Sequence, residues 1–176
     1  NSNAAIGLAA SGTVSVPAFT ATNATALPIV GTITVTPTLG TCVGPVEAYT
    51  ITVNPTPTVT DPADQTICAG GPTNAVNFTG TAGTTFNWTN SNTTIGLAAS
   101  GTGNIASFTA INVTAAPIAS TITVTPVLGP CTGTPQTFTI TVNPNPVIAV
   151  SGVSPTTCGG TNGTITITGL AASTAY

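Results

Sequence analysis

Apolar and polar residues alternate along much of this chain with a period of two. The pattern is plainest in Thr32-Ile33-Thr34-Val35-Thr36 and in Thr139-Ile140-Thr141-Val142. Alternation of this kind puts one set of side chains on each face of a pleated strand, and β-branched residues fit that surface well. Gly, Pro and Asn punctuate the runs. Between residues 57 and 145 the pattern predicts strands near 64–68, 74–80, 84–89, 95–99, 104–111, 119–125 and 136–143. Turns are expected at 68–72, 100–103 and 128–131, where Gly and Pro cluster. About seven short strands in a stretch of this length predict an immunoglobulin-like β-sandwich. No segment carries the capped 3.6-residue period of a helix.

The pattern also repeats. Asn1-Ser2-Asn3 returns as Asn90-Ser91-Asn92, the run Ile6–Thr13 as Ile95–Thr102, Thr32–Pro37 as Thr121–Pro126, and Ile51–Pro55 as Ile140–Pro144. Every pair is offset by 89 without a gap, and 36 of the 59 positions from 1 to 59 are identical to their counterparts. Self-similarity at a fixed period is the signature of a tandem array. The tail continues it. Gly70-Gly71 matches Gly159-Gly160 and Gly80 matches Gly169, whereas Cys68 aligns with Cys158 only after a slip of one residue. The expected organisation is therefore the C-terminal two-thirds of a repeat at 1–56, a complete repeat at 57–145, and the N-terminal strands of a third at 146–176. Those last strands have the composition to complete a neighbouring copy. The segments 54–57 and 143–146 read as stiff proline linkers, since Pro fixes φ and removes a hydrogen-bond donor.

Composition narrows the function. The 176 residues include no Lys, Arg or His, and the acids are Glu47, Asp61 and Asp64, for a net charge of −3. Without basic residues nothing can neutralise phosphates or anionic lipid, which excludes nucleic-acid partners and electrostatic membrane binding. General acid–base and nucleophilic catalysis need a tuned titratable group or a base beside the nucleophile. Three carboxylates and many unactivated threonines do not supply one, so no enzyme is expected, and no cofactor. Mean hydropathy is high at +0.47, yet no apolar run reaches the ~18 residues of a spanning helix. A surface this poor in charge tends to associate. Self-assembly, a glycan coat or both are the expected answer.

Four cysteines, Cys42, Cys68, Cys131 and Cys158, lie far apart with no C-x-x-C spacing. That favours disulfides in an oxidising compartment over a metal site. Pairing Cys68 with Cys131 inside the complete repeat is one connectivity. The other bridges each cysteine to a neighbouring domain end, because the sandwich topology puts those two at opposite ends. Asp61 and Asp64 flank a linker, but two acids fall short of the six to eight oxygens calcium takes. Trp88, Phe78, Phe108, Phe138 and Tyr49 sit in alternating strands and read as core. An exposed Trp88 or Tyr176 would instead suit sugar stacking. Sequons at Asn23, Asn77, Asn87, Asn92, Asn112 and Asn162 reflect composition, while O-glycosylation of surface Thr is compatible with the chain.

The phrases TITVTP, GPCTGTP and TFTITVNPNP, with DPADQTICAGG and FNWTNSN, resemble the PKD-like and Ig-like repeats of very large surface proteins in gliding Bacteroidota. The tail CGGTNGTITITGL is similar to repeats of their gliding-motility adhesins. The resemblance implies tandem Ig-like (PKD-like) sandwiches, export by the type IX route, display outside the cell, and no active site. The expectation is an extracellular structural repeat of a filament or adhesin stalk, partnered by copies of itself or adjacent repeats head to tail. The alternative is a carbohydrate-binding module of a secreted protein.

Overall fold

A computed structural model describes residues 1–169 of the protein. Apart from two three-residue 3₁₀ helices, Ala4–Ile6 and Thr93–Ile95, every element is a β-strand. In chain order the strands are β1 Ile29–Val35, β2 Thr38–Leu39, β3 Cys42–Val43, β4 Glu47–Val53, β5 Gln65–Cys68, β6 Thr85–Asn90 and β7 Ser100–Thr102. They continue with β8 Ile118–Leu128, β9 Cys131–Thr132, β10 Gln136–Asn143, β11 Ala149–Val153 and β12 Thr164–Thr168. The fold is all-β, as the alternation predicts.

Residues 65–143 build one six-stranded sheet in the order β5-β10-β8-β6-β7, with β9 hairpinned onto β8. β10 runs antiparallel to β8 and parallel to β5, where Ile140–Asn143 face Gln65–Cys68. Alternate side chains point inward, as period-two patterning requires. Ser120, Ile122, Val124 and Pro126 are buried on β8, and Phe138, Ile140 and Val142 on β10. The opposing layer is less regular. Its segments near 59, 72–80 and 104–110 touch through the single bridges Val59↔Gly80, Pro72↔Thr109 and Val76↔Ile105. Val59, Val76, Phe78, Ile105 and Ala110 close the core from that side.

The expected strands at 74–80 and 104–111 form no ladder because side chains take over their backbone partners. Asn104 Oδ1 accepts from the Phe78 N–H at 3.0 Å and Thr73 Oγ1 from the Phe108 N–H at 3.0 Å, while Ser107 Oγ donates to the Thr73 carbonyl. Polar side chains offering local bonds compete with sheet pairing in this way. The expected strand at 95–99 is also corrected. Asn92 caps a 3₁₀ turn there by accepting from the Thr94 N–H, and Gly96 ends it at φ 95°. The stretch read as a turn at 100–103 instead contains β7, paired with β6.

Residues 1–56 reproduce the second half of this unit at an offset of 89. β1 and β4 pair from Ile29↔Val53 to Val35↔Glu47, matching Ile118↔Val142 to Val124↔Gln136. The β2–β3 pair Leu39↔Cys42 matches Leu128↔Cys131. Side-chain bonds recur too. Asn23 Nδ2 donates to the Leu27 and Val53 carbonyls, and Asn112 Nδ2 to those of Ala116 and Val142. Residues 149–168 add the β11–β12 hairpin, antiparallel from Ala149↔Thr168 to Val153↔Thr164.

Candidate assembly surface

Equivalent positions in the two larger segments differ most in burial. In residues 57–145 the sheet is covered on its inner face and along both edges of the β8–β10 pair. In residues 1–56 β1 and β4 pair only with each other. Phe138 on β10 is 2% exposed, whereas its counterpart Tyr49 on β4 is 45% exposed. Val124 is fully buried and its counterpart Val35 is 47% exposed. The expectation that Tyr49 belongs to the core is thus corrected: no layer among the described residues covers it. A cleft of about 1090 Å³ lies over the face, lined by Leu8, Val16, Phe19, Ile33, Val35 and Tyr49 among others.

Two glycines define what the cleft lacks. At Gly101 any Cβ would collide with the Trp88 indole, so this glycine is the seat on which the ring lies. Gly12, its counterpart, has nothing within 4 Å. At Gly133 a Cβ would collide with the Pro57 carbonyl, whereas its counterpart Gly44 meets only Pro37. The same two glycines recur in residues 1–56, and among the described residues no ring lies against Gly12 and no carbonyl from another segment against Gly44.

The tail shows the complementary deficiency. Val76 and Phe78 are buried, and their counterparts on β12, Ile165 and Ile167, are 78% and 53% exposed. The linkers differ likewise. Pro55, Pro57 and Val59 are buried as alternate residues of an extended segment, so 54–57 does not act as the exposed spacer its prolines suggest. Burial at Pro57 comes from its close approach to Gly133 in the β9–β10 connection. Its counterpart Pro146 is exposed.

Trp88 is 7% exposed, its indole N–H has no hydrogen-bond partner, and it packs in the core with Phe78, as read from the sequence. Phe138 is core as well, and Phe108 packs partly buried against it. Tyr176 lies outside the described residues. The acids stand apart: Asp64 Oδ1 accepts from the Thr139 N–H at 2.6 Å on β10, and among the described residues no three metal-ligating side chains cluster. Asp64 therefore serves a strand rather than an ion.

All four cysteines are free thiols. Cys68 pairs beside Asn143 at the C-terminal end of β10, whereas Cys131 precedes that strand's beginning. The eight residues of β10 span about 26 Å at ~3.3 Å each, far beyond the ~7 Å Cα separation a disulfide tolerates. The Cys68–Cys131 pairing within the repeat is ruled out by this geometry.

Sequence reading missed a network of asparagines. Asn90 Nδ2 donates to the Leu97 and Ala98 carbonyls at 2.9 and 3.1 Å, and its Oδ1 accepts from the Asn92 N–H and from Ser120 Oγ. Asn112, noted only as a sequon, ties its own loop to β10. The identical return of Asn1 and Asn23 at an offset of 89 was the available signal, because loop composition alone does not hold an asparagine in register.

A family model described as a PKD-like domain matches residues 65–146. No curated protein matches the chain. The matched span begins at β5 and closes just after β10, so it takes in the whole six-stranded sheet.

Proposed function

We propose, from the PKD-like sandwich at 65–146 as premise, that the protein is a structural repeat unit of an extracellular filament or adhesin stalk with no catalytic activity. The observation that carries this reading is the return of strand register, turn and asparagine bonds at an offset of 89 residues. An array needs each module to present the same ends to its neighbours, and buries its core by stacking like on like. The polar resources of the chain go into backbone support: the asparagines hold loops and Asp64 holds β10. PKD-like domains are typically extracellular, and among the described residues no helix is long and apolar enough to cross a membrane. Display on a gliding Bacteroidota cell after type IX export is the finer reading, resting on the resemblance of the tail and linker phrases.

Electron microscopy of the native assembly tests this. β8 alone, 11 residues long, spans about 36 Å at ~3.3 Å per residue. Two stacked repeats should therefore advance about 70–90 Å along the axis. A much shorter advance would overturn end-to-end stacking.

The carbohydrate-binding reading needs an aromatic ring open to solvent. Trp88 does not offer one, because its ring rests on Gly101 inside the core; the ring left open is that of Tyr49, 45% exposed on β4. Binding of the isolated domain on a glycan array would restore that reading.

A further inference from the structure

We infer that the junction between residues 1–56 and 57–145 is a rigid joint, in which the second unit clamps the segment 54–59 and so fixes the direction of the first. The inference rests on the structural-module reading for its purpose, and adds the stiffness that a stalk needs across a junction. Covalently joined domains move relative to one another by default. Here the chain passes from the grip of one unit to that of the other almost at once. β4 is paired through its last residue, Ile29↔Val53, and the Val53 carbonyl accepts from Asn23 Nδ2 at 2.8 Å. Val53 also packs against the cluster of Ile6, Leu8 and Ile33. The next residue, Asn54, already meets the second unit: its Nδ2 stands 3.8 Å from the Cβ position of Gly129, in the turn between β8 and β9.

From Pro55 onward the chain is built into the second unit. Pro55, Pro57 and Val59 are buried, while Thr56, Thr58 and Thr60 are exposed. This is the alternation of a strand lying on a core, although Pro55 and Pro57 have no N–H to give a ladder. Packing takes the place of those bonds. The Pro57 carbonyl lies over Gly133 so closely that no Cβ fits there, and Gly133 is held in turn by its N–H bond to the Pro126 carbonyl at 2.9 Å. Val59 belongs to the core cluster that contains Phe78 and Trp88. Hydrogen bonds then fasten the segment from its far side. The Thr58 N–H donates to Thr81 Oγ1 at 3.1 Å, and the Thr60 N–H to the Thr79 carbonyl at 2.7 Å.

The torsions left between the two grips are few and restricted. Proline fixes φ at Pro55 and at Pro57. It also bars the helical region to the residue before it, which keeps Asn54 and Thr56 extended. All four residues from 54 to 57 are thereby confined to extended or polyproline backbone, the semi-rigid regime of a linker. The two prolines act twice: they stiffen the segment, and they supply the buried face by which the second unit holds it. None of the groups in the joint is charged, so salt does not loosen it.

Residual dipolar couplings of the whole chain test the joint, read separately from residues 29–53 and from residues 65–143. One alignment tensor should fit both sets, with equal magnitude and a shared orientation. Gly133→Val pushes the Pro57 carbonyl off its seat, and Pro55→Gly with Pro57→Gly frees the torsions. In each variant the couplings of either set should still fit that set's own strands, which separates a loosened joint from misfolding. The alignment of residues 29–53 should then fall about twofold below that of residues 65–143, as a flexible linker allows. Should Gly133→Val lose the fold of residues 65–143, the proline pair decides alone. Two unrelated tensors in the wild-type chain, or a shared tensor that survives in the variants, would overturn the joint. Native filaments of the expected axial advance would stand even so, which keeps that failure apart from failure of the structural-module reading.

Discussion

At Gly101 the missing side chain is a packing decision, since the Trp88 ring occupies the volume a methyl group would take. Gly101→Ala should therefore cost about 1–3 kcal/mol through overpacking. The same change at Gly12, where nothing lies within 4 Å, should stay within about 0.5 kcal/mol. Urea denaturation of the unassembled chain, followed by Trp88 fluorescence, measures both. Equal effects would mean the two seats are equivalently filled. Asn112 offers a second comparison. Its amide donates to the Ala116 and Val142 carbonyls, and its Oδ1 accepts from the N–H and Oγ1 of Thr114. Asn112→Ala removes these bonds, that to the partly buried Val142 carbonyl among them, for a loss of about 2 kcal/mol by denaturant titration.

Among the elements, those legible in the sequence are the ones whose burial is one-sided. β10 occupies the predicted 136–143, because Phe138, Ile140 and Val142 alternate with Thr without interruption. β8 outruns its predicted span, continuing through Thr125 and Pro126 to Leu128, because β6 pairs along its far half. The opposing layer was less legible: between its isolated bridges, backbone groups of Thr73, Phe78 and Phe108 bond to the Ser107, Asn104 and Thr73 side chains, and propensity does not foretell that substitution. The 3₁₀ turn at 93–95 depends on the cap from Asn92 and on Gly96, which composition alone presents as generic loop residues. Tyr49 carries the instructive miss. Its alternation is correct and its face is apolar, but burial requires a covering layer, and that layer is not a property of the strand. Phe138→Ala should accordingly cost about 3–5 kcal/mol. Tyr49→Ala should cost less than half as much in the monomer, as thermal unfolding would show.

For the whole molecule, the same asymmetry governs attack by proteases. Trypsin has no Lys or Arg to cut after, even in the unfolded chain. Chymotrypsin has sites throughout, and access then decides. Cleavage after Tyr49 should precede cleavage after Phe138 or Trp88 by a wide margin in limited digestion, because local opening is least costly where few apolar contacts are lost. Mass spectrometry of the first fragments reads the order directly. Early cutting after Phe138 would contradict the burial pattern. The cysteines teach the same lesson. Their spacing left two connectivities open, and the length of β10 decided against the one within the repeat.

The parallel pairing of β5 with β10 has a mechanical consequence. The chain comes into the six-stranded unit through the buried segment 55–59, reaches β5 at Gln65 and leaves after Asn143, and β5 and β10 lie side by side in the same direction. A pull on the two ends drags β5 and β10 past each other along their length. The bonds between Gln65–Cys68 and Ile140–Asn143 then bear the load together, in shear, and none can be unzipped ahead of the rest. Stretched by its termini, the domain should yield in one abrupt step at high force. Gln65→Pro, which sits at the loaded edge and removes a backbone donor, should lower that force while leaving the rest of the sheet paired. Under tension, the strand that closes the sandwich also latches it.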